Sequence, residues 1–195
     1  MRKGSESDKN LVVDILSKSF LDNKSTNYVV KQDHKREDRI RRLVEYSFYQ
    51  CIYFGEVLIS DNNKGCALIM IPSQKRFSIR AIFWDIKLAL SAIGLTRVLK
   101  VMKREKIVKT HHPNDKVCYL WFIGVDPLYQ NEGTGSKLLM EILDKYDKRG
   151  MPIYLETSVD RNLPWYKRFG FEIFNSIEFT YTLFMLRRTV IKNMI

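Results

Sequence analysis

Two glycines, Gly133 and Gly135, stand where a predicted strand ends and a predicted helix begins, and this arrangement suits the binding of an anion. The apolar run at residues 117–125 predicts a strand buried on both faces. Apolar residues at helical spacing from Leu138 to Tyr146 predict the helix. Glycines leave the first backbone N–H groups of a helix uncovered, at the positive end of its dipole. The turn therefore predicts a cradle for a pyrophosphate, with a plain tight turn as the alternative.

Two common nucleotide-binding patterns do not fit this turn. Gly-x-Gly-x-x-Gly would need a glycine where Leu138 stands, and Gly-x-x-x-x-Gly-Lys would need one where Gln130 stands. The three cysteines form neither a disulfide framework nor a zinc-binding pair, so no metal site is predicted. Cys118 lies within the strand and is expected to be a buried apolar side chain.

Two segments carry a family resemblance. Residues 124–135, Gly-Val-Asp-Pro-Leu-Tyr-Gln-Asn-Glu-Gly-Thr-Gly, resemble the signature of the GCN5-related N-acetyltransferase (GNAT) superfamily, Gln/Arg-x-x-Gly-x-Gly/Ala between a strand and a helix. Residues 162–171, Asn-Leu-Pro-Trp-Tyr-Lys-Arg-Phe-Gly-Phe, resemble a second element of the superfamily that contains Asn, Tyr and Gly-Phe. The Leu-Glu-Thr-Ser sequence at residues 155–158 is similar to the puromycin N-acetyltransferase-like branch. The resemblance extends from about residue 117 to the end of the chain.

The resemblance implies an α/β fold. Its central sheet is mixed, mostly antiparallel, splayed between the fourth and fifth strands and flanked by helices. Two predicted amphipathic helices joined at Gly94 stand before the fourth strand, where the family usually has none. We therefore predict a single acetyltransferase domain over residues 1–195, with an insertion at about residues 77–114. Little chain precedes the first helix at residues 11–20, so the family's first strand is expected to be missing or very short.

Other elements follow from local patterns. Apolar and β-forming residues predict two hairpins, and clusters of polar residues predict loops. The hairpins are expected at residues 51–60 with 66–71 and at 171–173 with 177–186, and the loops at 21–30 and 111–115.

The resemblance implies an N-acetyltransferase, a transferase that passes an acetyl group from acetyl-CoA to a primary amine of a small molecule by direct attack. An exposed strand edge can pair with the amides of the pantetheine arm, and a backbone N–H can stabilise an oxyanion. The implied cofactor contacts lie on the fourth strand, in the cradle and at the second element: Ile123, Gly124, Val125, Gln130, Asn131, Glu132, Gly133, Thr134, Gly135 and Asn162. Glu132 is mildly unfavourable beside an anion and is expected to face solvent. Asn162 is also a candidate helix N-cap.

Two residues are candidates for proton transfer. Tyr166 matches the usual general acid of the family, and the alternative is an aromatic packed between its neighbours. Glu156 on the fifth strand is the first candidate for the base, and a structural carboxylate is the alternative. His111 and His112 are further candidates for the base, although adjacent histidines in a polar loop favour simple exposure.

The predicted insertion has several interpretations. Its second helix carries Leu95, Leu99 and Met102 at helical spacing, and this face is expected to be packed. We favour a lid or wall of the acceptor site. A packing element, a dimer contact and a basic helix at residues 95–108 that touches a membrane are the alternatives.

Composition limits the class of protein. The chain has 195 residues, 45% of them hydrophobic, which excludes a wholly disordered protein. Its net charge of +11 suggests an anionic partner or a solvated basic surface. A polar N-terminal segment and the lack of a long apolar run predict a cytoplasmic protein without a membrane span, either a monomer or a homodimer. A protein that binds acetyl-CoA without catalysis and a nucleic-acid-associated basic protein remain alternatives. The dispersed charge and the lack of a binding motif favour an enzyme with no nucleic-acid partner.

Overall fold

The computed structural model describes residues 1–112 and 116–190. In that part of the chain, seven strands form one sheet in the order β1-β2-β3-β4-β5-β7-β6. The strands are β1 (Arg2–Lys3), β2 (Gly55–Ile59), β3 (Gly65–Met70), β4 (Cys118–Val125), β5 (Ile153–Thr157), β6 (Glu172–Glu178) and β7 (Thr182–Arg188). The α-helices are α1 (Lys9–Ser19), α2 (Lys24–Val29), α3 (Arg36–Phe54), α4 (Ile79–Leu88), α5 (Val98–Thr110), α6 (Thr134–Asp147) and α7 (Leu163–Arg168).

The sheet is antiparallel except where β4 meets β5. These two strands run parallel and pair at two positions, Cys118 with Ile153 and Tyr119 with Tyr154. Beyond Tyr119, β4 continues along β3 as far as Val125, whereas β5 continues along β7. The predicted fold is therefore confirmed: a mixed, mostly antiparallel sheet that opens between its fourth and fifth strands, with two helices inserted before the fourth strand.

The fourth strand contains a bulge. Leu68 pairs with Phe122 and Ile69 pairs with Leu120, so Trp121 is an extra residue on β4. An extra residue bends a strand and reverses which face the following side chains point to. Phe122 accordingly packs with the α1 and α3 side of the sheet, whereas Leu120 packs with the α6 side. Buried residues alternate with half-buried ones along β4 and none is exposed, and the buried ones include Leu120 on one face and Phe122 on the other, so the predicted burial on both faces is confirmed.

The two faces of the sheet carry separate apolar cores. On one face, Leu16 of α1 and Phe48 of α3 pack with Leu68. On the other face, Leu139 and Ile142 of α6 pack with the sheet. Each helix presents one apolar stripe to the sheet, so these two layers of helices set the ends of the strands in position.

Local sequence explains where the predicted elements and the structure differ. Residues 21–30 were expected to be a loop, but α2 forms there because the Asn23 side chain accepts a hydrogen bond of 3.0 Å from the Thr26 N–H. The predicted strand at 51–60 begins only at Gly55, because α3 continues to Phe54. The expected short first strand is present as β1. Of the predicted loop at 111–115, residues 113–115 lie outside the described residues.

The two inserted helices lie between β3 and β4, and their junction is at Gly94 as predicted. Helix α4 continues into a π-helical turn, Ala89–Ile93, and α5 is preceded by a 3₁₀ turn, Leu95–Arg97. Gly94 has a φ of +82°, which is costly for a residue with a Cβ atom. Among the described helices, none combines the length and the apolar character that crossing a membrane requires.

We expect Gly124→Ala to destabilise the fold. A Cβ atom at Gly124 would lie 2.8 Å from Ser19 Oγ and 2.9 Å from Leu16 Cδ2, so α1 would have to move away from β4. Overpacking of this kind costs about 1–3 kcal/mol. Thermal denaturation should show a melting temperature lower by several degrees. Gly135→Ala is the control, because its Cβ would contact only Val125, at 3.3 Å. Equal melting temperatures for the two variants would contradict the close packing of α1 on β4.

Candidate active site

The parting of β4 from β5 leaves an open strand edge. Within the described residues, β4 has no sheet partner on the β5 side beyond Tyr119. Ile123, Gly124 and Val125 lie on this unpaired stretch. An unpaired edge offers backbone N–H and C=O groups to an extended chain of amides. The predicted pantetheine contacts therefore stand at a free edge, although no ligand tests them.

The cradle follows directly after this edge. Asn131 and Gly133 both have positive φ values, 67° and 80°, which turn the chain sharply into α6. Gly133 is the N-cap of α6, and it has no side chain that could accept a hydrogen bond from the first backbone N–H groups of the helix. A Cβ at Gly133 would have open space around it, and one at Gly135 would meet only Val125. These uncovered N–H groups fit a pyrophosphate.

The remaining cradle residues surround this turn. Thr134 is buried, and its hydroxyl accepts a hydrogen bond of 3.1 Å from the Asn62 side chain. The Gln130 side chain reaches back to the Val125 carbonyl at 3.3 Å. The Glu132 side chain is exposed, as expected for a carboxylate beside an anion site.

The second predicted element forms the short helix α7. The Tyr166 ring is buried among Trp165 and Phe171, with ring centroids 4.8 and 5.6 Å away. Burial raises the pKa of the Tyr166 phenol above its usual value. The described residues give its hydroxyl no hydrogen-bond partner. Asn162 lies at the N-cap position of α7 without a capping hydrogen bond, so the structure does not support the capping role of its side chain.

A cavity of about 360 Å³ opens where β4 and β5 part. Both strands line it, with Tyr119, Trp121 and Phe122 from β4 and Glu156 from β5. The other lining side chains are mixed. The apolar ones include Phe20, Val29, Leu43, Met70, Leu88, Ile93, Val101 and Val108, and the charged ones are Lys75, Arg104, Glu105 and Lys109. The cavity therefore combines apolar walls with charged groups, and two of these groups, Glu105 and Glu156, are carboxylates.

Glu156 is held in place by two neighbours. Its Oε1 atom lies 2.8 Å from His112 Nε2 and accepts a hydrogen bond of 2.7 Å from the Tyr154 hydroxyl. The His112 ring packs against Tyr119 and Tyr154, with centroids 5.5 and 5.0 Å away. The described residues leave Glu156 Oε2 without a hydrogen-bond partner. The arrangement can orient a carboxylate and leave one oxygen for a cationic ligand.

The inserted helices form part of the cavity wall. Val101, Arg104 and Val108 of α5 are buried and line it. The Arg104 guanidinium donates hydrogen bonds to the Tyr181 hydroxyl and the Ser25 hydroxyl, at 3.1 and 2.8 Å. The prediction that one face of the second inserted helix is packed was wrong, because Leu95, Leu99 and Met102 are 71%, 80% and 61% exposed.

Sequence patterns did not reveal every residue of the site. His112 was expected to be exposed, but it contacts Glu156, which lies 44 residues further along the chain. Tyr154 and Arg104 were not selected at all, since neither belongs to a motif. His111 bonds within its own turn, to the Ile107 carbonyl at 2.9 Å, and does not line the cavity. Cys118 is buried, as expected, and burial raises the pKa of its thiol.

Comparison with known proteins finds similarity to acetyltransferases. Residues 91–171 match the model of the acetyltransferase (GNAT) family. An uncharacterized N-acetyltransferase of Schizosaccharomyces pombe is 33% identical over 146 residues, which are 71% of this chain and 59% of the relative. The N-alpha-acetyltransferase RimI of Mycobacterium tuberculosis is 46% identical over 52 residues, 26% of this chain and 32% of that protein. The chain thus spans less than two thirds of either relative.

Solved structures agree on the fold. A Corynebacterium glutamicum structure described as histone acetyltransferase HPA2 and related acetyltransferase superposes with a TM-score of 0.70 at 20% identity. The match covers 98% of this chain and 97% of that one. The open sheet and the turn into α6 have the same fold as this structure, and residues 91–171 are similar to the GNAT family.

We expect Gly135→Asp to weaken the binding of acetyl-CoA strongly. The substitution places a carboxylate and a side chain where the helix N-terminus would receive a pyrophosphate. Acetyl-CoA should raise the melting temperature of the parent protein by mass action, and this rise should nearly vanish in the variant. Met140→Asp adds the same charge to an exposed position of the same helix and should keep the full rise. An unchanged affinity in Gly135→Asp would refute the assignment of the cradle.

Proposed function

We propose that this protein is an acetyl-CoA-dependent N-acetyltransferase that acetylates a primary amine of a small, largely apolar molecule. The observation that carries the proposal is the position of Glu156, a held carboxylate with one free oxygen in the wall of an apolar cavity at the opening between β4 and β5. A carboxylate there can pair with an ammonium group while the cavity accommodates an apolar body.

Three parts of the chain are suited to acetyl-CoA, which supplies an acyl thioester and a thiol leaving group. The N–H groups at the start of α6, near Gly133 and Gly135, would receive the pyrophosphate. The free edge of β4, at residues 123–125, would pair with the pantetheine amides. Asn162 presents a side chain with no described hydrogen-bond partner one helical turn before Tyr166, so both side chains lie on one side of α7.

Glu156 is the proposed base. A primary amine reaches the site as an ammonium ion and cannot attack until it loses a proton. Glu156 Oε2 takes that proton, while Tyr154 and His112 hold Oε1 and fix the orientation of the carboxylate. The neutral nitrogen then forms the C–N bond as the C–S bond breaks, and its second proton leaves to solvent. No covalent acyl-protein step is needed, because the cavity brings the amine directly to the open edge.

Tyr166 is the proposed acid. Its raised pKa keeps the phenol protonated at neutral pH, so the hydroxyl can donate a hydrogen bond to the departing sulfur. A thiol has a pKa near 8.5, so the sulfur can leave with its charge stabilised by this donor and take up a proton afterwards. The hydroxyl has no competing partner among the described residues.

The cavity lining also supports a proposal for the chemical class of the amine. Aromatic and aliphatic side chains form much of the cavity wall, and the rings of Trp121 and Tyr119 stack with centroids 6.3 Å apart along one side. This lining favours an apolar or aromatic amine over a polyhydroxylated one. The puromycin N-acetyltransferase-like branch stays a prediction from the Leu-Glu-Thr-Ser sequence, as do the single-domain organisation and the cytoplasmic location.

The decisive experiment is an assay of thiol release with a panel of primary amines. The parent protein should release free thiol from acetyl-CoA only when an amine is present, and most rapidly with amines that carry apolar or aromatic groups. A thermal shift with acetyl-CoA but no turnover with any amine would favour the alternative, a protein that binds acetyl-CoA without catalysis. No thermal shift at all would contradict the whole proposal.

We expect Glu156→Gln to lower kcat/KM by roughly 10²–10⁴-fold, because the amide cannot accept the proton. Acetyl-CoA affinity should be preserved. Glu105→Gln is the matched comparison, since Glu105 lines the same cavity but pairs with Arg104. It should raise KM with little change in kcat. Equal effects of the two substitutions on kcat would show that cavity charge matters and that Glu156 is not the base.

Tyr166→Phe removes the hydroxyl and keeps the ring that packs against Trp165 and Phe171. We expect kcat to fall by roughly 10²–10⁴-fold when the chemical step limits the rate. The thermal shift with acetyl-CoA should stay within a degree or so of the parent value. Full activity in this variant would show that Tyr166 is only a packed aromatic side chain and not the acid.

A further inference from the structure

The inserted helices expose an unusual amount of apolar surface. Among the described residues, nine of the twelve large apolar side chains that are exposed lie between residues 77 and 102. They are Phe77, Ile79, Ile82, Phe83, Ile86, Leu90, Leu95, Leu99 and Met102. Scattered exposed apolar residues are ordinary, but a concentration of this kind marks an interaction surface. We call these nine side chains the outer apolar surface.

Helix α4 turns its more apolar face away from the protein. Its inward face carries Trp84, which stacks on Tyr49 with ring centroids 4.2 Å apart, and Asp85, which accepts a hydrogen bond of 2.7 Å from Tyr46. The outward face carries apolar side chains at intervals of three and four residues, 43–77% exposed: Ile79, Ile82, Phe83, Ile86 and Leu90. The packing of α4 is therefore complete without these side chains.

Helix α5 has the same two-faced character. Val101, Arg104 and Val108 face inward and line the cavity, whereas Leu99 and Met102 face outward. The outward stripe is opposite the cavity, so neither the acceptor nor the core uses it. None of the nine side chains of the outer apolar surface lines the cavity.

Positive charge accompanies this surface. Residues 75–110 hold ten lysines and arginines but two acidic residues, a net charge of +8 out of the +11 of the whole chain. Five of these basic residues are engaged away from the outer apolar surface: Arg104 pairs with Glu105, Lys87 pairs with Glu45, Arg97 bonds to the Tyr28 carbonyl, and Lys75 and Lys109 line the cavity. Arg80, Lys100 and Lys103 are exposed beside the outward stripes. Long basic side chains beside apolar ones can reach anionic headgroups while the apolar groups enter the acyl boundary.

We propose that the outer apolar surface docks on an anionic lipid bilayer and lies in its interface. Amphipathic helices with lysine and arginine beside their apolar stripe bind in this way, and each basic residue near an anionic surface strengthens binding roughly fivefold. A second copy of the chain fits less well, because a symmetric contact would bring two basic surfaces together. Nucleic acid fits less well because it gives no environment for aliphatic stripes.

The test measures the partition of the protein onto sedimented vesicles. One set contains phosphatidylcholine alone, and the other contains about one third phosphatidylserine. We expect at least roughly tenfold stronger partition onto the anionic vesicles at low salt, decreasing as salt is added. Equal partition onto the two sets, or none onto either, would overturn the proposal.

Two pairs of substitutions test the surface itself. Phe83→Asp with Leu99→Asp should reduce partition onto anionic vesicles by roughly tenfold or more, because both stripes then carry a carboxylate. Lys100→Glu with Lys103→Glu should abolish most of the preference for anionic vesicles by an independent route. The control pair, Met140→Asp with Ile173→Asp, changes exposed apolar positions outside the insertion and should leave partition nearly unchanged. A cooperative thermal unfolding transition without added ligand confirms that each variant is folded.

Two other outcomes would replace the bilayer with a different partner. In the first, a nucleic-acid duplex displaces the vesicles and binds the Phe83→Asp, Leu99→Asp variant as tightly as the parent protein. The basic residues would then be a nucleic-acid-binding surface. In the second, light scattering shows that the parent protein is a dimer that binds no vesicles and that the same variant is a monomer. The outer apolar surface would then be an interface between copies of the chain. Since neither result depends on acetyl transfer, the lipid proposal fails or stands separately from the proposed function.

Discussion

The parting of β4 and β5 is the constraint on which the rest of the site depends. Two parallel strands of eight and five residues pair at two positions and then separate. Each keeps its other neighbour, β3 on one side and β7 on the other, so the sheet stays continuous through Cys118 and Ile153 while it opens beyond them. Unpaired backbone groups in a partly buried position need a partner. The opening therefore creates both a cavity and a strand edge suited to an amide-rich ligand.

The bulge at Trp121 gives the two halves of β4 different roles. Before the bulge, Leu120 faces the α6 core and Tyr119 faces the cavity; after it, Phe122 and Gly124 face α1. A regular strand would alternate throughout and could not place both Tyr119 and Phe122 on one side. The bulge thus places three aromatic side chains of β4, Tyr119, Trp121 and Phe122, in the cavity wall. The close approach of α1 at Gly124 then fixes the far end of the strand.

Local signals predicted most of the strands, the turn into α6 and the helix junction at Gly94, because these features rest on apolar runs, glycine spacing and helical periodicity. The mixed sheet that opens between its fourth and fifth strands was predicted from the family resemblance. Local signals did not predict the hydrogen bonds of His112 and Tyr154 to Glu156, which join residues distant in the chain and carry no local signature. The helix at Lys24–Val29 was missed because one Asn23 cap outweighs a polar composition typical of loops. The roles of Tyr166 and of the cradle came from the family resemblance and remain proposals.

The error over the insertion has a physical cause. Periodicity identifies an apolar stripe, and the usual assumption is that a stripe faces the core. Here polar bonds anchor the inner side: Arg39 bonds to the Ser91 carbonyl at 2.9 Å, Arg97 to the Tyr28 carbonyl at 2.6 Å, and Arg104 to Ser25. Charge-assisted hydrogen bonds of this kind are directional and stronger than neutral ones. Together with the buried apolar side chains Ala92, Val101 and Val108, they orient the helices so that the outer stripe is left exposed. The same helices therefore separate a cavity on one side from an apolar, basic surface on the other.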